Sequence, residues 1–375
     1  MFRQELEKLE EQGLLRALRE VNPSAINLCS NNYLGLADHP ALKKAAHDAI
    51  EKYGVSSCSS RLISGTTGLH KKLEEKLAEF KGAEAALVFN SGYAANVGII
   101  SALVGRGDVI FSDKLNHASI VDGCLLSGAE LKRYPHCDMD ALEKFIKGSD
   151  PYVKKLIITD TVFSMDGDIA PLPEIVALAK KYDCMLMVDE AHATGVLGAN
   201  GKGAIEHFNI KEKDIIQMGT LSKAIGSFGG YVAGSRELID YLINKSRPFI
   251  YTTALPASVI AASIAALDII KNEPERRKQL WANVRFFDKE ARTQIIPILI
   301  GDSKKAVDIS RKLLDEGVFV QAIRPPTVPK GTARLRITIM ATHTKKDLEY
   351  AIEKIKKYCV CPRLGKRSVC MASSG

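Results

Sequence analysis

The chain has 375 residues, of which 46% are hydrophobic and 26% are charged, with a formal net charge of +8. This profile is typical of a globular protein with a sizeable core and predicts about two domains. The basic residues are spread along the chain and concentrate only near the C-terminus, which argues against a nucleic-acid-binding face. The longest apolar stretch, residues 257–270, is too short to span a bilayer and predicts a buried helix.

The first twenty residues are highly charged and carry leucines at positions 6, 9, 14, 15 and 18, which predicts an amphipathic helix rather than a secretory signal. The eight cysteines show no paired Cys-x-x-Cys spacing, so they are interpreted as reduced residues of a cytoplasmic protein. Three of them (Cys359, Cys361 and Cys370) cluster near the end. No fourth ligand accompanies them, and no metal site is predicted.

Short apolar runs alternate with helical patterns through the middle of the chain. The runs at 85–89, 108–111, 155–159, 185–188, 215–218 and 230–233 predict strands, and 93–104, 118–127 and 173–182 predict helices. This alternation with near-continuous apolar strands is typical of an α/β fold with a mostly parallel central sheet. Beyond 271–274, strands at 294–300, 318–323 and 333–339 and helices at 303–316 and 345–358 predict a smaller α+β domain.

Four domain-level segments are predicted from these patterns. They are an N-terminal helical arm (1–26), a large domain (27–271), a C-terminal α+β domain (272–358) and a disordered tail (359–375). Ligands of parallel sheets bind outside the carboxyl ends of the strands. His117, the Asp189–His192 pair and Lys223 each follow a predicted strand closely, so these side chains are expected to meet.

The residues after these strands match the needs of a pyridoxal 5'-phosphate (PLP) site. Lys223 lies among small and hydroxyl residues, Thr220 and Ser222 included, and could form a Schiff base with the cofactor. Asp189 could hold the pyridine nitrogen, although a helix cap would explain this aspartate equally well. The turn before Gly92 and Tyr93 opens a helix, where backbone N–H groups suit a phosphate, but an ordinary cap would also fit.

Two further segments carry candidate residues. Ser164 lies in an Asp/Gly-rich loop after a strand, which predicts either a site residue or only a turn. Arg324 precedes two prolines, and a guanidinium in such a rigid segment suits recognition of a substrate carboxylate; the alternative is a surface salt bridge. Arg334 and Arg336 alternate within a predicted strand and are left ambiguous.

Five motifs together resemble the α-oxoamine synthases, which are PLP enzymes of the aspartate aminotransferase-like fold (fold type I). The motifs are Ser30-Asn31-Asn32-Tyr33-Leu34-Gly35-Leu36, Asn116-His117-Ala118-Ser119, Phe163-Ser164-Met165-Asp166-Gly167-Asp168, Val188-Asp189-Glu190-Ala191-His192 and Thr220-Leu221-Ser222-Lys223. The resemblance extends to about residue 357 and implies the PLP-dependent transferase fold, with the cofactor bound in the large domain.

The resemblance also implies roles for individual residues. The cofactor would be bound by Gly92, Tyr93, His117, Ser164, Asp189, His192, Thr220, Ser222, Lys223, Thr252 and Thr253. Within this set Lys223 would carry PLP and act as base, Asp189 would hold the ring nitrogen, and His192 would reach the phenolic oxygen. His117 would stack on the ring and join these three in catalysis, while Thr252 or Thr253 would reach the phosphate of a partner subunit in a homodimer.

The substrate residues implied by the resemblance are Arg19, Asn31, His117, Arg324 and Thr327, with Arg324 on the amino-acid carboxylate. The Arg-Pro-Pro-Thr-Val-Pro run at 324–329 resembles the branch that condenses L-alanine with a pimeloyl thioester, of coenzyme A or a carrier protein, in biotin biosynthesis. Two alternatives stay open: condensation of glycine with acetyl-CoA, and a PLP-binding regulatory protein without turnover.

Overall fold

The computed structural model describes residues 2–18 and 20–359. The strands are β1 (Ile26–Asn27), β2 (Ala85–Phe89), β3 (Val109–Asp113), β4 (Glu130–Tyr134), β5 (Lys155–Asp160), β6 (Met185–Asp189), β7 (Ile215–Thr220), β8 (Gly230–Gly234), β9 (Ile295–Gly301), β10 (Val318–Phe319), β11 (Gln321–Ile323) and β12 (Ala333–Thr338). The helices are α1 (Phe2–Glu11), α2 (Pro40–Tyr53), α3 (Gly68–Lys81), α4 (Gly92–Leu103), α5 (Ala118–Ser127), α6 (Met139–Lys147), α7 (Leu172–Lys181), α8 (Ala204–His207), α9 (Arg236–Lys245), α10 (Arg247–Ile250), α11 (Ala257–Asn272), α12 (Pro274–Phe287), α13 (Ser303–Asp315) and α14 (Lys345–Tyr358).

The chain divides into two compact units. The larger unit comprises Leu34–Phe163 and Asp168–Arg277, and the smaller unit comprises the described residues up to Tyr33, Ser164–Gly167 and those from Lys278 on. Residues 27–33 and 164–167 therefore group with the C-terminal part of the chain, whereas the sequence placed them in the large domain (27–271). For 27–33 the cause is pairing of β1 with β10, in which Ile26 lies opposite Val318. The domain bounds drawn from the sequence remain a prediction.

The larger unit contains a seven-stranded sheet in the order β2-β8-β7-β6-β5-β3-β4. Strands β4, β3, β5, β6 and β7 pair in parallel, and β8 runs antiparallel to both of its neighbours. The sheet core contains fully buried side chains from several strands, among them Ile110, Leu156, Met187 and Val232. This burial explains the near-continuous apolar strands. The predicted α/β class with a mostly parallel sheet is confirmed.

The smaller unit contains an antiparallel sheet in the order β11-β12-β9, together with the short β1–β10 pair. The continuous strand predicted over 318–323 is wrong. The chain changes partners at Val320, so that β10 pairs with β1 while β11 pairs with β12. Val320 is itself fully buried between the two short strands. Helix α13 packs against β9, β10, β11 and β12.

The predicted N-terminal helix is too long. Helix α1 ends at Glu11, and Gly13 adopts a left-handed conformation with φ of 66° that stops the helix. The apolar stretch near 260 does form a buried helix, α11. Across the part of the chain that the structure describes, every helix is too short or too polar to cross a membrane. Arg19 and tail residues 360–375, including Cys361 and Cys370, lie outside the described residues.

Candidate active site

Four polar residues end neighbouring strands of the larger sheet. Asp113, Asp160, Asp189 and Thr220 are the last residues of β3, β5, β6 and β7. All four are buried, and the strand register sets Asp160 opposite Asp189. Because these strands are parallel, their ends meet at the same edge of the sheet. This edge is where the sequence predicted the cofactor residues to converge.

Asp189 is held in one orientation by two hydrogen bonds. Its Oδ2 accepts from Asn96 Nδ2 at 2.8 Å, and its Oδ1 accepts from the backbone N–H of Ala191 at 2.8 Å. The first bond links the carboxylate to α4, and the second closes a turn after β6. The alternative interpretation of Asp189 as a helix cap is wrong, because residues 191–200 form turns and bends and the next helix, α8, begins at Ala204. Asp189 is only 4% exposed. Such a fixed, buried carboxylate suits a charged hydrogen-bond donor on a ligand.

Lys223 and His192 form a direct hydrogen bond. The Nζ of Lys223 lies 2.9 Å from Nε2 of His192. A hydrogen bond between two nitrogens requires one of them to accept through a lone pair, so one of these two nitrogens lacks its proton in this arrangement. His192 is buried and lies in the turn after Asp189, whereas Lys223 is partly buried beyond the end of β7. The structure therefore joins two of the predicted catalytic residues.

His117 caps helix α5 and is tied to the same edge. Its Nδ1 accepts from the backbone N–H of Ser119 at 3.2 Å, and its own backbone N–H donates to Asp160 Oδ2 at 2.8 Å. The residue as a whole is exposed, but loss of solvent around its ring lowers the pKa of His117. The Asp189 charge raises the pKa of His117 in opposition, and the Lys223 charge lowers it further. His117, Asp189 and Lys223 thus share one electrostatic environment.

Asp160 is the second buried carboxylate at this edge. Burial raises the pKa of Asp160 well above its ordinary value, and repulsion from the neighbouring Asp189 raises it further. The His117 N–H and the Lys223 charge oppose this shift. Sequence reasoning missed Asp160, although its place at the end of the β5 run was a usable signal.

Backbone groups and hydroxyls near the start of α4 form a second part of the site. Gly92 and Tyr93 begin this helix after the cap Ser91, and the first N–H groups of a helix lack an intrahelical acceptor. A Cβ atom at Gly92 would lie 3.6 Å from Thr220 Cβ, so the helix start packs against the end of β7. Thr220 Oγ1 donates to Gly229 O at 2.8 Å, and Ser222 Oγ accepts from Gly229 N at 3.1 Å.

Thr252 and Thr253 lie close to the end of β2. Asn90 Nδ2 donates to Thr252 Oγ1 at 3.2 Å and to the Thr253 carbonyl at 2.7 Å. Thr253 also forms an isolated antiparallel bridge with Ser60. The structure thus places both threonines beside the turn before α4 of their own chain. Their predicted contact with a partner subunit remains a prediction.

The smaller unit joins Asn31 and Ser164 through an arginine. Arg336 on β12 donates from Nη2 to Asn31 Oδ1 at 3.2 Å and from Nε to the Ser164 carbonyl. Two residues earlier on the strand, Arg334 donates from Nη1 to Asp166 Oδ1 at 2.5 Å. Both arginines are 7% exposed. Their i, i+2 spacing was a visible signal, because residues so spaced share one face of a strand.

Arg324 and Thr327 contact the N-terminal segment instead. Arg324 donates to the carbonyls of Gly13 and Leu15, and Arg16 Nη2 donates to Thr327 Oγ1 at 3.4 Å. Arg336, which the sequence left ambiguous, becomes a second candidate for binding a carboxylate.

The donor set of the larger unit fits PLP. A lysine amine is available for covalent attachment, a buried carboxylate for a pyridine nitrogen, and a helix start with nearby hydroxyls for a phosphate. Each of these groups lies at the carboxyl edge of one sheet. No part of this set is chemically mismatched to the cofactor.

The aminotransferase class I and II family model matches residues 23–355. The chain belongs to this family. It is 56% identical to an 8-amino-7-oxononanoate synthase of Geobacter sulfurreducens over 93% of this chain and 95% of the relative. It is 51% identical to the protein of that name in Thermoanaerobacter pseudethanolicus, over 95% and 96% of the two chains.

Solved structures agree with this assignment. Serine palmitoyltransferase from S. paucimobilis, with a bound PLP–myriocin aldimine, superposes with a TM-score of 0.90 at 33% identity, covering 95% of this chain and 96% of that one. The 8-amino-7-oxononanoate synthase of Francisella tularensis has a TM-score of 0.78 at 33% identity, with 90% and 98% covered. The predicted resemblance to the α-oxoamine synthases and the fold type I class are confirmed.

Proposed function

We propose that this chain is a PLP-dependent acyltransferase that condenses L-alanine with a pimeloyl thioester. The products are 8-amino-7-oxononanoate, carbon dioxide and the free thiol, in biotin biosynthesis. The observation that carries this proposal is 56% identity, across nearly the whole chain, to a relative named for that activity. The larger unit adds the lysine, carboxylate and helix start that the chemistry needs.

PLP is the cofactor, and when bound it supplies an electron sink for negative charge on the substrate α-carbon. Asp189 would hold the ring nitrogen and keep it protonated, since its carboxylate is buried and already oriented by Asn96. The N–H groups at Gly92 and Tyr93 and the Thr220 and Ser222 hydroxyls would bind the phosphate. His117, His192 and Ser164 are proposed to contact the cofactor as well.

Lys223 would attach the cofactor and later act as the base. Its amine must be neutral to remove the α-proton of L-alanine, and His192 Nε2, at 2.9 Å, is positioned to share the proton. His192 is itself buried in the turn after Asp189, so this partner has a fixed direction. General base catalysis of this kind contributes about 10²- to 10⁴-fold to the rate.

The substrates carry two carboxylates, one on L-alanine and one at the far end of the pimeloyl chain. We assign the amino-acid carboxylate to Arg324, as the sequence predicted, with Arg336 as the competing candidate because it is hydrogen-bonded to Asn31 and Ser164. Arg19, Asn31 and Thr327 are proposed to line the acyl or product site. A bidentate guanidinium suits either carboxylate.

A homodimer with shared active sites is part of the proposal. The larger unit exposes apolar side chains, including Val55 (76%), Ile63 (81%) and Tyr251 (72%). The Ser60–Thr253 bridge pairs the segment just before Ile63 with the segment that contains Tyr251, Thr252 and Thr253. Exposed apolar groups of this size mark interfaces. Mixing Lys223→Ala protein with Thr253→Ala protein should restore activity if subunits share sites.

A cytoplasmic location is proposed from the state of the cysteines. Every cysteine in the described ranges is a free thiol: Cys29, Cys58, Cys124, Cys137, Cys184 and Cys359. Free thiols are typical of a reducing compartment. The acyl carrier is proposed to be either coenzyme A or a carrier protein.

The decisive experiment is a thiol-release assay on the PLP-loaded enzyme. L-Alanine, glycine and L-serine are each offered with pimeloyl-, acetyl- and palmitoyl-CoA, and L-alanine also with a pimeloyl carrier protein. The proposal expects L-alanine with a pimeloyl thioester to have the highest kcat/KM and to yield 8-amino-7-oxononanoate by mass spectrometry. A preference for glycine with acetyl-CoA, or no release with any pair, would overturn it.

A further inference from the structure

A charged bridge lies beside the cofactor residues of the larger unit, on side chains with no role assigned above. His136 Nδ1 is 3.0 Å from Asp113 Oδ1, and its Nε2 is 2.7 Å from Asp168 Oδ2. His136 follows β4, Asp113 ends β3, and Asp168 closes the loop after β5. One imidazole therefore links the segments that follow β3, β4 and β5, which are neighbours in the sheet.

The geometry indicates that this imidazole is an imidazolium. A carboxylate accepts hydrogen bonds only, so two carboxylates on two ring nitrogens require a proton on each. Burial alone would lower the pKa of His136, but the hydrogen bonds to Asp113 and Asp168 raise it to about 12. The Phe163 ring packs edge-on with its centroid 4.4 Å from that of His136, which restricts the ring further.

One arm of the bridge leads to His117. Asp113 Oδ1 accepts the Leu115 N–H at 2.8 Å, and its Oδ2 accepts the Cys137 N–H at 2.9 Å. The first bond closes the turn that leads to His117, and the second attaches the segment after β4 to the same carboxylate. The neighbouring Asn116 accepts the Asp160 N–H at 2.8 Å, so the turn is also joined to the end of β5. The direction of the His117 side chain depends on this turn.

The other arm holds the loop after β5. The Phe163 N–H donates to the Asp168 carbonyl at 3.1 Å, and Val162 bridges to Ile169. The intervening segment contains Ser164. The His136 imidazole contacts both carboxylates, so it links the turn held by Asp113 to the loop that contains Asp168.

We propose that His136 is a positioning residue: its imidazolium joins Asp113 to Asp168 and thereby sets the direction of His117 toward the cofactor. The inference rests on the proposed function, since it concerns a residue of that same site. It predicts that loss of the bridge changes the environment of bound PLP and lowers kcat more than it changes KM.

A metal site is the competing interpretation of the same atoms. One ligand atom from each of Asp113, His136 and Cys137 lies within 4.8 Å of the others, and Cys137 Sγ is 3.6 Å from His136 Nε2. Zinc accepts this set of ligand types. A metal would need a ring nitrogen without a proton, however, and both nitrogens face carboxylates. The hydrogen-bonded bridge is therefore favoured.

The test compares His136→Gln, His136→Gly and Asp168→Asn in the PLP-loaded protein, with Cys137→Ser as the matched control. The readouts are visible circular dichroism of the bound cofactor, and kcat and KM for L-alanine. We expect His136→Gln to lower kcat by about tenfold or more, as for loss of a charge-assisted hydrogen bond. The dichroic band should change, Cys137→Ser should match wild type, and added imidazole should restore much of the activity of His136→Gly.

Three outcomes would overturn the inference. His136 variants with wild-type kcat and dichroism would show that the bridge positions nothing. A loss in His136→Gly that imidazole does not reverse, with an unchanged dichroic band, would leave a merely structural role. Wild-type protein whose dichroism responds to EDTA or to one equivalent of zinc, while Cys137→Ser does not respond, would establish the metal site instead.

If the His136 variants fail to fold, Asp168→Asn supplies the same readouts, because it removes the carboxylate charge at the partly exposed end of the bridge and keeps an acceptor oxygen there. Failure of the proposed function is recognised separately. It would leave wild-type protein without thiol release, whereas the dichroic comparison needs only bound PLP.

Discussion

The two units hold their functional side chains in different ways. In the larger unit His117, His192 and Lys223 follow the ends of β3, β6 and β7 closely along the chain. In the smaller unit Arg334 and Arg336 lie inside β12. Arg334 binds Asp166, which precedes it by 168 positions in the chain, and Arg336 binds Asn31, which precedes it by 305 positions. Local topology therefore sets the first group, and long-range pairing sets the second. Substitutions in the larger unit should change the chemistry, and those in the smaller unit should change substrate binding and stability.

The largest effect is expected at Lys223. Replacing it by alanine removes the attaching amine and the base, so thiol release should fall by about 10²- to 10⁴-fold. The visible absorption band of the lysine-bound cofactor should disappear. Lys213→Ala, at an exposed lysine before β7, is the control and should match wild type. An unchanged spectrum in Lys223→Ala would show that the cofactor is not attached to Lys223, and the larger unit would lose its proposed chemical role.

The next largest effect is expected at the arginines of the smaller unit. Arg324→Ala should raise KM for L-alanine by about 10- to 100-fold and leave KM for the thioester nearly unchanged, as for loss of a charge-assisted hydrogen bond. Steady-state kinetics of Arg324→Ala and Arg336→Ala, with each substrate varied in turn, measures both. If Arg336→Ala instead raises KM for L-alanine, the two assignments exchange.

A smaller effect is expected at the Arg334–Asp166 pair. Asp166→Asn leaves the guanidinium, whose side chain is 8% exposed, without its charged partner. We expect a loss of about 1–2 kcal/mol in the free energy of unfolding, because the aspartate is partly solvated and water compensates in part. Thermal melts measure it. Glu349→Gln, in an exposed pair with Lys345, is the control. An equal loss of unfolding free energy in the control would show that burial of Arg334 does not strengthen its ion pair.

The smallest effect concerns pH and the His136 bridge. Because the folded-state pKa of His136 is raised to about 12, its stabilising contribution is complete below about pH 6.5 and declines as pH rises towards the folded pKa. Asp113, Asp168 and Cys137 are the titratable groups that face it. The melting-temperature gap between wild type and His136→Gln should be wider at pH 6 than at pH 9. A gap that widens with pH would contradict the charged bridge.

The sequence by itself determined the strands, the mostly parallel character of the sheet and the polar residues beyond its strand ends. Buried apolar runs and the polar residues that follow them are local patterns, so no distant partner is needed to read them. The start of α4 and the span of α5 were predictable for the same reason, since caps and helical spacing act within a few residues.

Only the tertiary structure decided which distant residues meet. The strand break at Val320, the Arg336–Asn31 link and the His136 bridge each depend on partners supplied by another segment. A polar side chain in a sequence does not specify its acceptor. That choice follows from the burial of both groups, because a buried donor or acceptor left without a partner costs about 1–3 kcal/mol.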